Sequence, residues 1–361
     1  MKILHLANDV RECGNGIINV LVDLACHQAK EGHDIVVVSA GGEYVELLER
    51  YGVRHVELRQ RPVRKAMIPF MVMKFVAILF RERPDIVHAH MVTGLFLGKA
   101  GKAAKTYTLI STVHNEFNRS AKYMGLADRV VGVSRAVTAA MVNRGVDPSR
   151  VATIRNGTVG TPRARKEDDQ ATTSLMQRPS VTTVAGLFHR KGIDVLIRAF
   201  AASQATKVDA HLYVIGEGRD RASFEAIVRE LELHGRVHFL GFKQNVMAHL
   251  KQTDVFVLAS RREPFGLAVL EAREAGCAVI ASDVDGIPEA LDGGASGALV
   301  PPDDVPALSA ELSRLLCDAE ALSHARRIAR EGIDCFSARR MADEYLQLYE
   351  TACRRARSSA L

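Results

Sequence analysis

One local pattern recurs along almost the whole chain: a short, continuous apolar run, then a loop carrying glycine, then an amphipathic stretch. Residues 3–6, 35–38, 85–90, 109–114, 129–134 and 151–155 form one series of such runs; residues 181–185, 211–215, 237–240, 255–258, 278–282 and 297–300 form another. Runs without alternation fit strands buried on both faces, which occur in parallel sheets covered by helices. Between the first two runs, Ile17, Val20, Leu21 and Leu24 fall at i, i+3, i+4 and i+7, the spacing of a helix with one apolar face. The chain thus reads as an α/β protein whose glycine loops gather at the carboxyl edge of parallel sheets, where ligands bind. At 361 residues it exceeds one ordinary core and suits two domains. The break falls where apolar residues thin out, around Arg163, Arg165, Lys166, Glu167, Asp168 and Asp169. We therefore expect a first domain over 1–165, a linker over 166–179, a second domain over 180–337, and a last helix over 338–361. That helix carries Met341, Tyr345, Leu348, Tyr349 and Ala352 in one stripe.

Composition narrows the partners. A hydrophobic share of 47% with 25% charged residues is globular. A formal net charge of +6 suits anionic partners, such as nucleotide sugars or an anionic membrane surface. No zinc or aromatic–basic module accompanies it, so nucleic acid is not an expected partner. Cys13, Cys26, Cys277, Cys317, Cys335 and Cys353 are scattered without a C-x-x-C pair, which argues against a disulfide framework or zinc knuckle and for a reducing cytoplasm. The first strand begins at once, with no signal-type segment before it, and no apolar run reaches the roughly 18 residues of a membrane span.

The most informative stretch is Glu263-Pro264-Phe265-Gly266-Leu267-Ala268-Val269-Leu270-Glu271. It follows the apolar run 255–258 and opens a helix. Gly266 at a strand-to-helix turn lets a ligand approach the backbone, and the helix start behind it suits a phosphate. Glu263 at the loop mouth and Glu271 one turn down the helix can grip two parts of an elongated ligand. This stretch closely resembles the E-x7-E signature of the retaining group 4 glycosyltransferases, which have the GT-B fold: two Rossmann-like parallel-sheet domains facing across a cleft. Gly286-Ile287-Pro288-Glu289, Arg190-Lys191-Gly192 and Asn156-Gly157 extend the resemblance over nearly the whole chain.

The resemblance implies roles. Glu263 would lie beside the transferred sugar and Glu271 would bind the ribose hydroxyls. Lys191, with Arg190, would neutralise the leaving phosphate. His114, in Thr112-Val113-His114, would sit beside the sugar, and the loop ending at Gly16 would face donor phosphate and acceptor; by its residues alone that loop could equally be a bare turn. Gly216, Phe242, Phe265, Gly266, Leu267 and Glu289 complete the donor-side candidates. One departure stands out: Gly186 occupies the place where the family commonly has an arginine, so Arg190 either substitutes or points away. Asp283-Val284-Asp285 looks like a metal-binding D-x-D, but its sequel matches the family's glycine loop instead, with Asp285 where glycine is common; no cofactor and no essential metal are expected. The implied activity is retaining transfer of a hexose-type sugar from a nucleotide sugar, UDP ahead of GDP, to a glycan or lipid-linked glycan of the bacterial surface. A nucleotide-sugar epimerase, or a nucleotide-sugar-binding protein without turnover, is the alternative.

Three further stretches ask for a reading. Arg59, Arg61, Arg64 and Lys65 precede a run from 66 to 80 broken only by Pro69 and Lys74, and Arg81 and Arg83 follow. This is either a buried helix with basic ends or an interfacial helix meeting anionic lipid at the inner membrane face. His88 and His90 share one face of a strand, a conceivable zinc pair with no third ligand apparent in the sequence. Gly94-Leu95-Phe96-Leu97-Gly98-Lys99 falls one residue short of a P-loop and lacks its Ser or Thr.

Overall fold

The computed structural model describes residues 1–60, 65–164 and 175–358. Two compact units emerge: Met1–Ala164 with Phe336–Leu361, and Arg165–Cys335. The first runs β1 (Lys2–Leu6), α1 (Gly16–Lys30), β2 (Asp34–Ser39), α2 (Val45–Arg50), β3 (Arg54–Glu57), α3 (Ile68–Glu82), β4 (Ile86–Ala89), α4 (Val92–Gly101), β5 (Thr108–Val113), β6 (Arg129–Gly132), α5 (Arg135–Asn143) and β7 (Val151–Thr153). Its sheet is parallel in the order β3-β2-β1-β4-β5-β6-β7. The continuous apolar runs are the central strands, buried on both faces as such runs require. Asn15 starts α1 by accepting from the Ile17 amide at 3.1 Å, and Ser134 starts α5 by accepting from Val137. The edge pieces α2 and β3 left no clear trace in the sequence, because an edge strand of four residues, half exposed, has little apolar run to show.

The second unit repeats the plan: β8 (Ser180–Val184), α6 (Ile193–Ala202), β9 (His211–Ile215), α7 (Arg221–Glu230), β10 (Val237–Gly241), α8 (Val246–Leu250), β11 (Val255–Leu258), α9 (Leu267–Ala275), β12 (Ala278–Ser282), α10 (Ile287–Ala290), β13 (Ala298–Val300), α11 (Val305–Cys317) and α12 (Ala319–Arg330). Its sheet order is β10-β9-β8-β11-β12-β13, all parallel. Phe200, Leu196, Val214, Val257, Ile280 and Leu312 form its core. The last helix, α13 (Ala338–Ser358), belongs to the first unit. Its stripe buries Met341, Tyr345 and Tyr349 completely or nearly so. The Tyr345 hydroxyl hydrogen-bonds Thr112 at 2.8 Å and Tyr349 bonds His88 at 2.6 Å.

Two details of the first unit change the reading of its sequence. The Gly94–Lys99 stretch is the middle of α4, and a Cβ at Gly98 would come within 2.6 Å of Leu109, so this glycine lets the helix lie close on the sheet. The 66–80 run is only half buried. Phe75 and Leu79 are fully covered and Ile78 nearly so, while Phe70, Met73 and Phe80 are 50%, 61% and 54% exposed. Pro69 causes no break, since it falls in the first turn of α3 where its missing N–H costs nothing. Arg61 and Arg64 lie outside the described residues, as does the side chain of Lys65. No helix among the described residues is long and apolar enough to cross a membrane.

Candidate functional site

In the second unit the strand order reverses between β8 and β11, and the loops leaving these two strands are the ones the sequence marked. A crevice at such a reversal is where open parallel sheets bind ligands. The β8 loop ends at Gly192, with φ +63°, and a Cβ there would lie 1.8 Å from the Ala259 carbonyl oxygen. Only glycine allows this approach. The Arg261 amide then donates to the Arg190 carbonyl at 2.9 Å, tying the two loops together. Across that seam the Lys191 ammonium pairs with the Glu263 carboxylate, their side chains 13% and 12% exposed. Arg261 grips Asp194, in the first turn of α6, through two bonds of 2.9 and 2.7 Å. That pairing holds the Asp194 carboxyl below its ordinary range in spite of its burial.

Behind Glu263 stands the β12 loop. Asp285 takes φ +46°, a conformation aspartate tolerates better than most residues. Its carboxylate accepts from the Glu263 amide at 2.9 Å and from Arg262 at 3.0 Å. The Gly286 amide returns a bond to the Glu263 carbonyl at 3.1 Å. A Cβ at Gly286 would sit 2.1 Å from the Pro264 carbonyl oxygen, so the two loops pack backbone on backbone. Gly266, at φ +96°, caps α9 with no side-chain bond to its first turn. Leu267 is the first residue of α9, and Glu271 follows in its second turn, partly buried. Gly216 lies against the Ala185 carbonyl, where a Cβ would be 2.1 Å away. Phe242, just past β10, is 37% exposed; Glu289 is partly buried in α10. Phe265 departs from the rest: at 2% exposure its ring is core, so what it can offer a ligand is backbone. At Gly186, the place lacking an arginine, the Phe188 ring lies over the backbone, 2.8 Å from where a Cβ would be. Arg190 is half-buried.

Sequence reasoning missed Arg273. Its guanidinium is completely buried, two residues past Glu271. It donates to the Ala329 carbonyl at 2.8 Å, Ser296 at 2.9 Å, the Glu331 carbonyl at 2.8 Å and Asp292 at 3.0 Å. Burial pushes its pKa down, and Asp292 opposes this. It pins α9, and with it Glu271, to the end of α12 and to the segment before β13. A single arginine in a helix gave no sign of this.

In the first unit the order reverses between β1 and β4, and that place is filled by histidines. His5 on β1 is paired in register with His88 on β4, and the His88 and His90 rings lie tilted with centroids 4.1 Å apart. The expectation of no third ligand is corrected here: His5, His88 and His90 bring nitrogens within 4.8 Å of one another, because β4 lies between β1 and β5 in space. Yet every ring nitrogen of the three has a hydrogen-bond partner. His5 bonds Gln28 at 2.8 Å and His90 at 3.1 Å; His90 continues to His114 at 3.1 Å; His88 bonds Thr112 at 2.8 Å and Tyr349 at 2.6 Å. Burial pushes His5 down to about 4 and His114 to about 3, and holds His88 and His90 well below their ordinary value, so all four are neutral at pH 7. His114, just past β5, keeps a partly exposed edge. Gly16 begins α1 in the loop after β1.

Residues 164–332 match the model of "Glycosyl transferases group 1" and residues 14–158 that of "Glycosyltransferase Family 4". Among curated proteins, the chain is 32% identical to N-acetyl-alpha-D-glucosaminyl L-malate synthase of Bacillus anthracis over 160 residues, 44% of this chain and 42% of that protein. It is 23% identical to the lipopolysaccharide core biosynthesis glycosyltransferase LpsE of Rhizobium meliloti over 309 residues, 82% of this chain and 84% of LpsE. The match to the first of these relatives thus spans less than half of its length. Among solved structures, Anabaena HepE in complex with UDP and glucose superposes with a TM-score of 0.84 at 19% identity, covering 97% of this chain and 100% of HepE. That likeness concerns the fold.

Proposed function

The chain is a glycosyltransferase of the GT-B fold and the family 4 type, and from that premise we propose that it moves a hexose-type sugar, with retention, from a nucleotide sugar to a glycan or lipid-linked glycan in bacterial surface-polysaccharide synthesis. The observation that supports this best is the Lys191–Glu263 pair, held by Gly192 and Asp285 at the reversal point of the second sheet. Breaking a sugar–phosphate bond leaves charge on the phosphate, and preorganised cations and helix N-termini stabilise it. Lys191, Arg190 and the N-terminal amides of α6 and α9 supply these. Donor phosphate would take Lys191 from Glu263, freeing the carboxylate for sugar hydroxyls. Glu271 would bind the ribose, and His114 would meet the transferred sugar. The leaving phosphate would accept the acceptor's proton on the same face.

We propose that no metal is needed. The Asp285 carboxylate, half of the D-x-D, is already engaged by the Glu263 amide and Arg262. Activity surviving a chelator supports this; loss restored by a divalent ion would overturn it. For the donor we favour a UDP-sugar over a GDP-sugar, as HepE was solved with UDP. A thermal-shift panel of UDP, GDP, ADP and TDP sugars tests this, since a ligand binding only the folded state raises its stability with concentration. Product NMR reads the anomeric configuration; an altered free sugar with no acceptor consumed would mean epimerase.

The acceptor reading leans on α3. Phe70, Met73 and Phe80 lie at i, i+3 and i+10, exposed along one side, with Lys74 over the Phe70 ring at 4.9 Å and Lys105 over Phe80 at 5.6 Å. Phe96, Tyr123 and Leu126, on α4 and the turn after β5, are also more than 40% exposed or at that level. Exposed aromatics flanked by cations suit the boundary of an anionic bilayer. We propose reversible docking at the inner membrane face, in a cytoplasmic protein. Binding to anionic vesicles that weakens with salt is the expected result; indifference to such vesicles at low salt favours a soluble acceptor.

A further inference from the structure

The histidines of the first unit are joined in line, and the line ends on His114. Gln28 Oε1 lies 2.8 Å from His5 Nε2; His5 Nδ1 lies 3.1 Å from His90 Nε2; His90 Nδ1 lies 3.1 Å from His114 Nε2. Gln28, His5 and His90 are 0%, 0% and 2% exposed, so no water competes for these bonds. A neutral imidazole carries one N–H, and its other nitrogen only accepts. Each bond in the line therefore dictates the next. The Gln28 carbonyl can only accept, so His5 is protonated at Nε2 and accepts at Nδ1. His90 must then donate from Nε2 and accept at Nδ1. His114 in turn donates from Nε2, which leaves a lone pair on Nδ1.

We infer that Gln28, His5 and His90 form a tautomer relay that fixes which nitrogen of His114 carries the proton. This inference rests on the placement of His114 in the proposed site only for its consequence; the relay itself is a property of the first unit. Gln28, His5 and His90 touch no substrate in this account. They are positioning residues, acting through His114. A His114 held with a lone pair on Nδ1 presents an acceptor there, suited to a sugar hydroxyl as donor. Reversing the Gln28 amide would reverse every step and present an N–H instead. The relay crosses the sheet at the β1–β4 reversal, which is why the three histidines come from three different loops and strands yet make one line.

A second branch runs beside the first. Gln28 also neighbours the Tyr349 hydroxyl, which bonds His88 Nδ1 at 2.6 Å. His88 Nε2 bonds Thr112 at 2.8 Å, and Thr112 bonds Tyr345 at 2.8 Å. With the carbonyl toward His5, the Gln28 amino group is buried without a hydrogen bond of its own. Tyr349 can then donate to His88, His88 to Thr112, and Thr112 to Tyr345, with one proton in each bond. The same cluster could be read as a metal site, but each ring nitrogen would first have to give up a bond it already makes.

Imidazole nitrogen NMR on histidine-labelled full-length protein tests the relay without reference to activity. The expected spectrum of the native chain shows His5, His90 and His114 each as a single Nε2–H tautomer. Gln28→Glu, whose carboxylate also only accepts, should keep that pattern. Gln28→Met, which neither donates nor accepts, should broaden His114 into a mixture while His211 and His238, in the other unit, keep their shifts. Turnover should fall about tenfold in Gln28→Met with donor KM unchanged, and return in Gln28→Glu. An Nδ1–H His114 in the native chain overturns the inference, and so does a His114 signal indifferent to Gln28→Met. The native spectrum alone decides the first point if the variant does not fold. Loss of activity in His114→Asn, by contrast, bears on the proposed function and leaves the relay untouched.

Discussion

Lys191 and Glu263 neutralise each other at the edge of the second sheet, and that is the form in which the site waits for an anion. Lys191→Ala should lower turnover on the order of a hundredfold, as removal of one preorganised donor does, because phosphate charge peaks in the transition state. Arg190→Ala is the informative partner. If Arg190 stands in for the arginine that Gly186 replaces, steady-state turnover should fall to a similar degree; near-normal turnover would leave Lys191 acting alone. Glu271→Ala should cost about 1.5–3 kcal/mol of nucleotide affinity, a tenfold weakening or more, with the fold intact. Calorimetry that finds unchanged affinity removes Glu271 from the ribose. The sequence singled these residues out through the family resemblance of the motifs that carry them, since a charged side chain at a strand-to-helix turn is by itself more often an ordinary surface group. Arg273 was not, since burial with five acceptors gathered from distant segments cannot be seen along one helix. The His5 partner of His88 and His90 was hidden for the same reason: parallel strands neighbour in space what they separate in sequence.

Helix α6 depends on one glycine. Gly192→Ala places a Cβ 1.8 Å from the Ala259 oxygen and strains a φ of +63°. The β8 loop must then back away from β11, taking Lys191 from Glu263. A drop in melting temperature together with weakened donor binding is expected, and a variant with normal binding would show the seam to be dispensable. Helix α3 makes the opposite case. Phe70→Ser with Met73→Ser removes exposed apolar surface and no core, so thermal stability should hold while vesicle binding falls. If the double variant melts many degrees lower, those side chains pack and the docking reading fails. The strands were the most legible elements, since a buried parallel strand writes a continuous apolar run. The 66–80 run shows the limit of that signal: hydrophobicity announced a helix but not which side of it was covered, because exposed and buried apolar residues look alike in sequence.

Across the whole molecule, acid should act on the two units unequally. His5, His88, His90 and His114 are neutral in the folded first unit because burial disfavours their charged forms; His5 is lowered from 6.5 to about 4 and His114 to about 3. In the unfolded chain each takes up a proton near pH 6.5. The folded pKa is therefore the depressed one. Between about 4 and 6.5 the unfolded chain binds more protons than the folded one, so stability is full above pH 6.5 and is lost as pH falls through that window. One unit below 6.5, each such ring costs about 1.4 kcal/mol, and the four together about 5.5 kcal/mol. His27 and His55 are shifted the same way and add to the slope in this unit. The second unit has His238 and His249 lowered, but both are less enclosed. The paired carboxylates Asp34, Glu82 and Asp194, whose values are depressed below the ordinary carboxylate range, matter only under more acid conditions. Urea unfolding at pH 7.5 and 5.5, followed by Tyr345 and Tyr349 in the first unit and Tyr213 in the second, separates the two. The tyrosines of the first unit should lose protection several kcal/mol earlier at the lower pH, with net proton uptake on unfolding. Equal shifts in both units, or a flat profile, would mean that the histidine line is charged or hydrated in the folded protein.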